Sequence, residues 1–554
     1  MPLRAAFCGL LLAINVFGRE PVHARNGMVV AQEPLAVDAG VTVLKAGGNA
    51  VDAAVAVAFA LAVTYPYAGN LGGGGFMLIR LADGRTTLID FRERAPQAAS
   101  HDMYLDASRN LTHDSLVGWR ASGVPGTVAG LELAHKKYGK KPWGDLVQPA
   151  VALAENGFPV SYNLSESLKN ESDLLSQFPE SKRIFLSARY GENLIQPELA
   201  QSLKRIRDRG ASDFYRGEIA QRLIKQEQAH GGLITLEDLK RYEAIERTPL
   251  SGHYKSYDVI TAPPPSSGGI GILQMLGMLE ASGYEQGGAG SASSIHYVAE
   301  VMRRFYADRS EFIGDPDFVK VPVSKLLDPK YIQSRRASID PEHATPSLQI
   351  RPGPLPPAES SETTHFNVMD REGNVVALTY TLNGGYGSGV TVPGLGFLLN
   401  NEMDDFSAKP GEPNLFGLVQ GEANAIQPGK RPLSSMTPTI LVSGGKPFMA
   451  LGAPGGSRIT NAVLQVILNV IDFHMNVQDA VDCPRFHHQW MPDELYLERG
   501  ISPDTANLLR SMGYHIASDE NSAPVIARVE ALLSENSWLE GAHDSRQQGK
   551  AEGY

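Results

Sequence analysis

The stretch TTHFNVMDREGNVVALTYT, residues 363–381, carries the pattern that decides the fold. Two runs rich in β-branched and aromatic residues flank the turn-forming segment 370–374, which predicts an antiparallel hairpin. A hairpin that closes symmetrically about residue 372 places Thr363 opposite Thr381, with their Cβ atoms about 5 Å apart on one face. A slip of one residue would send the two side chains to opposite faces.

A threonine hydroxyl is a weak nucleophile unless a base lies beside it, and no histidine-based relay is visible around Thr363. An N-terminal threonine can use its own α-amine as the base, because that amine has a pKa of about 7.7–8.0. Thr363 gains this base only if the chain is cut before it. The preceding segment 341–362 holds six prolines and predicts an extended linker. The residues alone leave two interpretations open: a catalytic terminus, or an interdomain linker followed by an ordinary strand.

Composition sets broad limits on the class of protein. The chain has 554 residues, of which 42% are hydrophobic and 20% charged, with a net charge of −11. The length favours several domains, the composition is that of a globular protein, and the acidic balance argues against a nucleic-acid partner. Of the two cysteines, Cys8 lies in a predicted signal segment, so Cys483 has no intrachain partner in the mature chain.

Residues 1–24 have the features of a secretory signal. Arg4 gives a positive start, 5–17 is apolar, and Ala24 provides a small residue at the end. The apolar run is shorter than the ~20 residues that span a bilayer, and no later segment is long and apolar enough to span one. We therefore expect a periplasmic or secreted protein without a membrane span. The alternative is a buried N-terminal strand.

Further along the chain, periodicity predicts a mixture of helices and strands. Segments 34–46 and 49–63 predict helices, the first ended by glycines and the second capped by an asparagine. Segments 76–81 and 86–91 predict strands joined by an Asp-Gly turn. Residues 125–310 predict a mostly helical region.

Several short motifs in the chain resemble those of one known family. With ESSETTHF (359–366), they are DFRERAP (90–96), NNEMDDF (400–406), RPLSSM (431–436) and GAPGGSR (452–458). The set resembles the γ-glutamyltransferases, also called γ-glutamyltranspeptidases, which are N-terminal nucleophile hydrolases. The motifs occur in the family's order across nearly the whole mature chain.

The resemblance implies a fold and a processing event. The fold would be an α/β (α+β) structure, a four-layer αββα sandwich. The chain would cut itself between Glu362 and Thr363, which gives a large subunit of residues 25–362 and a small subunit of 363–554. Thr363 would be the catalytic nucleophile, and Thr381 would hydrogen-bond its hydroxyl. No cofactor and no metal are implied.

The resemblance also assigns the substrate contacts. An oxyanion hole would be formed by Gly455 and Gly456. The substrate α-carboxylate would be bound by Arg92, Ser434 and Ser435. The α-ammonium would be bound by Asn383, Glu402 and Asp405. The residues alone equally allow a plain turn before a helix, an Arg92 ion pair with Glu93 or Asp90, and polar or acidic loops. Segment 410–421 aligns with a lid loop, and Phe416 stands where several members have Tyr.

The implied reaction is cleavage of γ-glutamyl amides such as glutathione, with transfer of the acyl group to water, an amino acid or a dipeptide. One alternative is a glutaryl acylase of the cephalosporin type, for which the ammonium-binding carboxylates Glu402 and Asp405 would have no use. A second is an unprocessed, non-catalytic periplasmic binding protein, which would need no nucleophile.

Overall fold

The computed structural model describes residues 19–350, 363–409, 421–517 and 525–554. Three predicted features fall wholly or largely outside these ranges. They are the scissile residue Glu362, the lid segment apart from its last residue, and residues 1–18 of the predicted signal.

The described residues form strands and helices throughout. The strands are β1 (Val22–Ala24), β2 (Met28–Ala31), β3 (Gly74–Arg80), β4 (Thr86–Asp90), β5 (Phe158–Pro159), β6 (Asn193–Leu194), β7 (Ile245–Arg247), β8 (Leu250–Tyr254), β9 (Tyr257–Thr261), β10 (Thr364–Met369), β11 (Val375–Thr381), β12 (Thr439–Ser443), β13 (Lys446–Gly452), β14 (Phe486–His487), β15 (Tyr496–Leu497), β16 (Glu530–Glu535), β17 (Trp538–Ala542) and β18 (Lys550–Gly553). The helices are α1 (Pro34–Lys45), α2 (Ala50–Thr64), α3 (Thr127–Tyr138), α4 (Trp143–Asn156), α5 (Tyr162–Asn170), α6 (Ser172–Leu175), α7 (Pro179–Phe185), α8 (Pro197–Arg209), α9 (Ala211–Arg216), α10 (Glu218–Ala229), α11 (Leu236–Arg241), α12 (Gly268–Leu279), α13 (Ala292–Phe312), α14 (Val323–Leu326), α15 (Pro329–Ala337), α16 (Arg458–Ile471), α17 (Val477–Asp482) and α18 (Pro503–Ser511).

Two seven-stranded antiparallel sheets form the centre of the molecule. One has the order β1-β17-β16-β13-β12-β9-β8 and the other β18-β2-β10-β11-β3-β4-β7. Side chains between the two sheets form one apolar cluster, and each outer face packs on its own helices. On β11, Val376 and Leu378 face α1 and α2, whereas Val375 and Ala377 face the opposite sheet. This alternation confirms the predicted αββα sandwich.

The hairpin of β10 and β11 has the predicted register. Thr364 pairs with Tyr380 and Met369 with Val375, so Thr363 lies at the open end of the hairpin across from Thr381. Both strands are buried along their whole length. The hairpin is therefore a rigid central element that can fix the geometry of residues at its end.

Close backbone packing holds Thr381 in place. Gly74 of β3 pairs with Thr381, and a Cβ atom added to the preceding Gly73 would lie 2.0 Å from the Thr381 carbonyl oxygen. Only glycine permits this approach. The glycine run 72–75 thus serves strand packing beside the hairpin.

The structure adds detail to two predicted regions. The mostly helical region 125–310 also contains β7, β8 and β9, of which β8 and β9 complete one edge of a central sheet. The last residues of the predicted signal, Val22–Ala24, pair with β17 at the other edge. Within the described ranges, every helix is too short or too polar to cross a bilayer.

Candidate active site

A buried cavity at the open end of the hairpin brings together most of the predicted site residues. Its lining consists of Arg309, Thr363, Thr381, Asn383, Glu402, Asp405, Leu433, Ser434, Ser435, Met436, Gly456 and Ile459. Arg92 and Gly455 are next to this lining. Arg92 contacts Glu402 and Asp405, and Gly455 directly precedes Gly456. Glu362 is outside the described residues. The lining comes from the open end of the hairpin, from helices α13 and α16 and from loops that are distant in sequence.

The proposed nucleophile and its neighbour are almost fully buried. Thr363 is 5% exposed and Thr381 2% exposed. The Thr381 hydroxyl oxygen accepts a hydrogen bond of 2.8 Å from the backbone N–H of Asn383. Asn383 adopts a φ of 76°, and its side-chain amide donates to the Asn401 carbonyl at 3.0 Å. The chain therefore turns sharply after β11, and this turn fixes both the Thr381 hydroxyl and the Asn383 side chain.

The glycine pair before α16 has the backbone geometry of an anion-binding turn. Gly455 has a φ of 139° and Gly456 a φ of 53°, values that residues with side chains rarely adopt. A Cβ atom on Gly455 would lie 2.7 Å from the Cβ atom of Ala527. Neither glycine N–H donates a hydrogen bond to another described residue. Two adjacent N–H groups that lead into a helix N-terminus can stabilise an oxyanion.

Arg92 forms the centre of a buried charge cluster. Its guanidinium donates to Glu402 and Asp405 and lies 3.5 Å from Glu93. The alternative interpretation of Arg92 as an ion-pair partner of Glu93 is thus observed, together with contacts to both predicted ammonium-binding acids. Asp90 instead pairs with Arg247 at 2.7 Å.

Burial shapes the protonation of this cluster. Burial raises the pKa of Glu402 well above its usual range, and the negative charges of Glu93 and Asp405 add to this effect against the opposing charge of Arg92. Burial likewise raises the pKa of Glu93 to about 7. Burial alone would lower the pKa of Arg92, but the neighbouring carboxyl groups outweigh it and raise that pKa. The cluster holds excess acidic groups, which suits a site for an ammonium ion.

The serine pair also lines the cavity, and Ser435 contacts a residue that the sequence did not reveal. Ser435 Oγ accepts a hydrogen bond of 3.2 Å from Arg309 Nη2, while Arg309 Nε donates to Ser267 at 2.9 Å. Arg309 Nη1 has no hydrogen-bond partner among the described residues. Burial lowers the pKa of Arg309 to about 10, so the guanidinium is charged at neutral pH.

The sequence placed Arg309 only within the mostly helical region 125–310. The one available signal was its position on the face of α13 that also carries apolar residues, where a buried arginine needs a special partner. Arg309 places a positive charge beside Ser435. Arg92, in contrast, is in contact with three acidic side chains.

The chain is similar to known proteins over almost its whole length. The model of the γ-glutamyltranspeptidase family matches residues 36–554. The glutathione hydrolase proenzyme of Escherichia coli (strain K12) is 51% identical over 532 residues, which cover 95% of this chain and 91% of that protein.

Two solved structures show the same fold. Cephalosporin acylase from Bacillus halodurans superposes with a TM-score of 0.84 at 27% identity and covers 99% of both chains. The γ-glutamyltranspeptidase of Helicobacter pylori superposes with a TM-score of 0.57 at 42% identity and covers 64% of this chain and 97% of that chain.

These similarities confirm the predicted fold class and the prediction of an enzyme that is made as a precursor. They also favour a γ-glutamyl enzyme over a glutaryl acylase or a binding protein. The chain belongs to the γ-glutamyltranspeptidase family.

Proposed function

We propose that the chain cuts itself between Glu362 and Thr363 and then hydrolyses or transfers γ-glutamyl groups through an ester on Thr363. The observation that carries this proposal is the position of Thr363. It lies at the open end of the hairpin across from Thr381, in one cavity with the glycine turn and with groups suited to an amino acid head.

In self-cleavage, the Thr363 hydroxyl attacks the Glu362 carbonyl carbon while the peptide C–N bond breaks, which leaves an ester and a free α-amine on Thr363. Water then opens the ester. In turnover, this α-amine takes the hydroxyl proton as the oxygen attacks the γ-carbonyl of the substrate. Gly455 and Gly456 donate to the developing oxyanion. The departing amine takes the proton from the α-ammonium, and water or an acceptor amine then attacks the ester.

The two ends of the substrate head would meet opposite sides of the cavity. Ser434, Ser435 and Arg309 surround the α-carboxylate. The family resemblance assigns Arg92 to the same carboxylate, but in this structure its guanidinium contacts Glu402 and Asp405, so we place it behind the acids that face the ammonium. Asn383, Glu402 and Asp405 bind that ammonium. A glutaryl substrate lacks the ammonium, so it would leave the acidic side of the cavity without a cation.

Glutathione and other γ-glutamyl amides are the proposed donors, and amino acids or dipeptides the proposed acceptors. A direct test compares the turnover of γ-glutamyl-p-nitroanilide with that of glutaryl-p-nitroanilide by purified, processed protein. We expect a preference of roughly a hundredfold or more for the γ-glutamyl anilide, since a buried charge pair is worth several kcal/mol. Equal turnover of both anilides, or a preference for the glutaryl one, would overturn the assignment.

The proposal places the processed enzyme in the periplasm or outside the cell, with residues 1–24 as the export signal. The apolar segment after Arg4 supports this location. Fractionation of producing cells tests it: activity confined to the cytoplasm would contradict export.

A further inference from the structure

A second cavity has a volume of about 430 Å³, and among the described residues its lining shares none with the candidate active site. The C-terminal end of α2, helix α5 and the chain near Arg528 and Gln547 form its walls. Gln32 and Glu33, which lie just before α1, close one side. Most of the lining residues have polar side chains, and the reaction described above does not use them.

One wall of this cavity touches the strand that carries the nucleophile. The Thr364 hydroxyl donates a hydrogen bond of 2.9 Å to Gln32 Oε1. Thr364 directly follows Thr363, so Gln32 is one residue removed from the proposed nucleophile. Both Gln32 and Thr364 are buried, which makes this contact a fixed part of the structure.

A second wall touches the oxyanion turn. The backbone N–H of Arg528 donates to the Pro454 carbonyl at 3.3 Å. The neighbouring Ala527 is the residue that a Cβ atom on Gly455 would meet. Arg528 is thus held next to the point where the oxyanion of the reaction would lie.

A third wall touches the turn after β11. The backbone N–H of Tyr386 donates to the Tyr67 carbonyl at 2.9 Å, and the Tyr67 ring packs against Gly385, where a Cβ atom would lie 2.5 Å away. Asn383 is two residues before Gly385. The second cavity therefore borders three parts of the active site: the nucleophile strand, the oxyanion turn and the ammonium-binding turn.

Two buried donors in this lining indicate the chemistry of its ligand. Gln32 is 2% exposed, and its Nε2 has no hydrogen-bond partner in the described part of the chain. The Nε atom of Arg528 is also buried and likewise has no hydrogen-bond partner among the described residues. Buried N–H donors without acceptors are costly and rare. A ligand that satisfies both must carry hydrogen-bond acceptors, such as carbonyl or carboxylate oxygens.

The charges of the lining further limit the class of ligand that the cavity can bind. Glu33, Glu166 and Glu171 line the cavity together with Arg528 and Arg546. Such a mixed lining disfavours a simple anion and suits a molecule with both a carboxylate and other polar groups. Amino acids and short peptides are such molecules.

We propose that this cavity binds the acceptor of the transfer reaction, an amino acid or dipeptide, and also the corresponding part of the leaving group. The inference rests on the proposed function and extends it. Arg528 binds the acceptor carboxylate, since a guanidinium can donate two parallel hydrogen bonds to it. Gln32 donates to the peptide carbonyl of a dipeptide.

The step that this cavity serves is aminolysis of the γ-glutamyl ester. The neutral amine of the acceptor attacks the ester carbon, a C–N bond forms, and the bond between that carbon and Thr363 Oγ breaks. The proton of the attacking amine passes through the Thr363 α-amine to Oγ. The product is a new γ-glutamyl amide and free enzyme.

The test uses γ-glutamyl-p-nitroanilide as donor and compares glycylglycine with glycylglycinamide, which lacks the carboxylate. In Arg528→Gln, we expect the preference for glycylglycine over its amide, measured as the ratio of kcat/KM values, to fall roughly tenfold or more, since hydrogen bonds to charged groups are worth 1.4 kcal/mol and upwards. In Gln32→Leu, transfer to both acceptors should fall relative to hydrolysis. Arg499→Gln is the matched control, because Arg499 is exposed and does not line the cavity.

The outcomes separate this inference from the proposed function. If the wild-type protein fails to cleave the anilide, both the proposed function and the acceptor cavity are wrong. Wild-type cleavage combined with an unchanged acceptor preference in Arg528→Gln and an unchanged ratio of transfer to hydrolysis in Gln32→Leu would overturn the acceptor cavity alone. A gel of each variant verifies that it has folded and cut itself.

Discussion

The backbone N–H of Asn383 donates a hydrogen bond of 2.8 Å to the hydroxyl oxygen of Thr381. Because this bond occupies an acceptor position of the hydroxyl, the Thr381 proton is directed elsewhere and can be donated to Thr363. Such a donor would stabilise the Thr363 oxygen as it loses its own proton. The turn after β11 thus links Asn383, the proposed ammonium-binding residue, to the proposed nucleophile.

Replacement of Thr381 by valine tests this link, since valine keeps the shape of threonine and lacks the hydroxyl. We expect Thr381→Val to lower kcat for γ-glutamyl-p-nitroanilide roughly tenfold to hundredfold, because the variant loses one hydrogen bond to a centre that becomes charged in the reaction. Thr381→Ser is the control and should retain most of the activity. Full activity in the valine variant would show that the Thr381 hydroxyl has no part in catalysis.

Arg309 is expected to determine specificity for the α-carboxylate. Its Nη2 supports Ser435, and its Nη1 has no hydrogen-bond partner among the described residues. We expect Arg309→Gln to raise KM for γ-glutamyl-p-nitroanilide roughly tenfold or more. The KM for 4-aminobutyryl-p-nitroanilide, which lacks the α-carboxylate, should change much less. If both KM values rise by the same factor, Arg309 acts on the structure of the site and does not recognise the carboxylate.

Asp405 is expected to recognise the α-ammonium. Asp405→Asn removes a negative charge from the acidic side of the cavity, so kcat/KM for γ-glutamyl-p-nitroanilide should fall by roughly a hundredfold. Turnover of the glutaryl anilide, which has no ammonium, should change little. An equal loss on both substrates would refute the ammonium assignment of Asp405.

The pH dependence of stability has a clear source in Glu227, a buried residue of α10. Burial raises the pKa of Glu227 from 4.5 to about 8, and a backbone hydrogen bond from Ile234 opposes this only in part. The folded state therefore keeps a proton that the unfolded chain releases above pH 4.5. Stability is lost as the pH rises from about 4.5 to 8.

Glu227→Gln cannot ionise, so this variant should be more stable than wild type at pH 8.5 by roughly 2–4 kcal/mol and nearly equal to it at pH 5. Thermal unfolding at the two pH values measures the difference. Glu237→Gln, at an exposed position of α11, is the control and should follow wild type. A Glu227→Gln variant that shows the same pH dependence as wild type would contradict the assigned pKa.

The hairpin of β10 and β11 could be predicted in full from sequence. Its two strands are long and its turn is symmetric, so the register followed from the position of the turn alone, and the structure has that register. The αββα arrangement followed from the family resemblance, because periodicity indicates only which residues are helical or extended. Strands β8 and β9 were missed because each has only five residues, which is too short a stretch to separate a strand pattern from the surrounding helices.

The residues of the second cavity could not be predicted. Gln32 and Arg528 come from opposite ends of the chain, and neither belongs to a recognisable motif. Arg309 belongs to a long helix in which sequence alone does not separate a buried arginine from an exposed one. Only the packed structure shows that these side chains carry donors without partners among the described residues.

The central claim is that a backbone cut turns Thr363 into an N-terminal residue with its own base. Denaturing electrophoresis of active protein should show two polypeptides, and N-terminal sequencing of the shorter one tests the claim most directly. We predict that its first residue is Thr363 and that Thr363→Ala stays uncut and inactive. A different first residue, or full activity in an uncut chain, would contradict the mechanism.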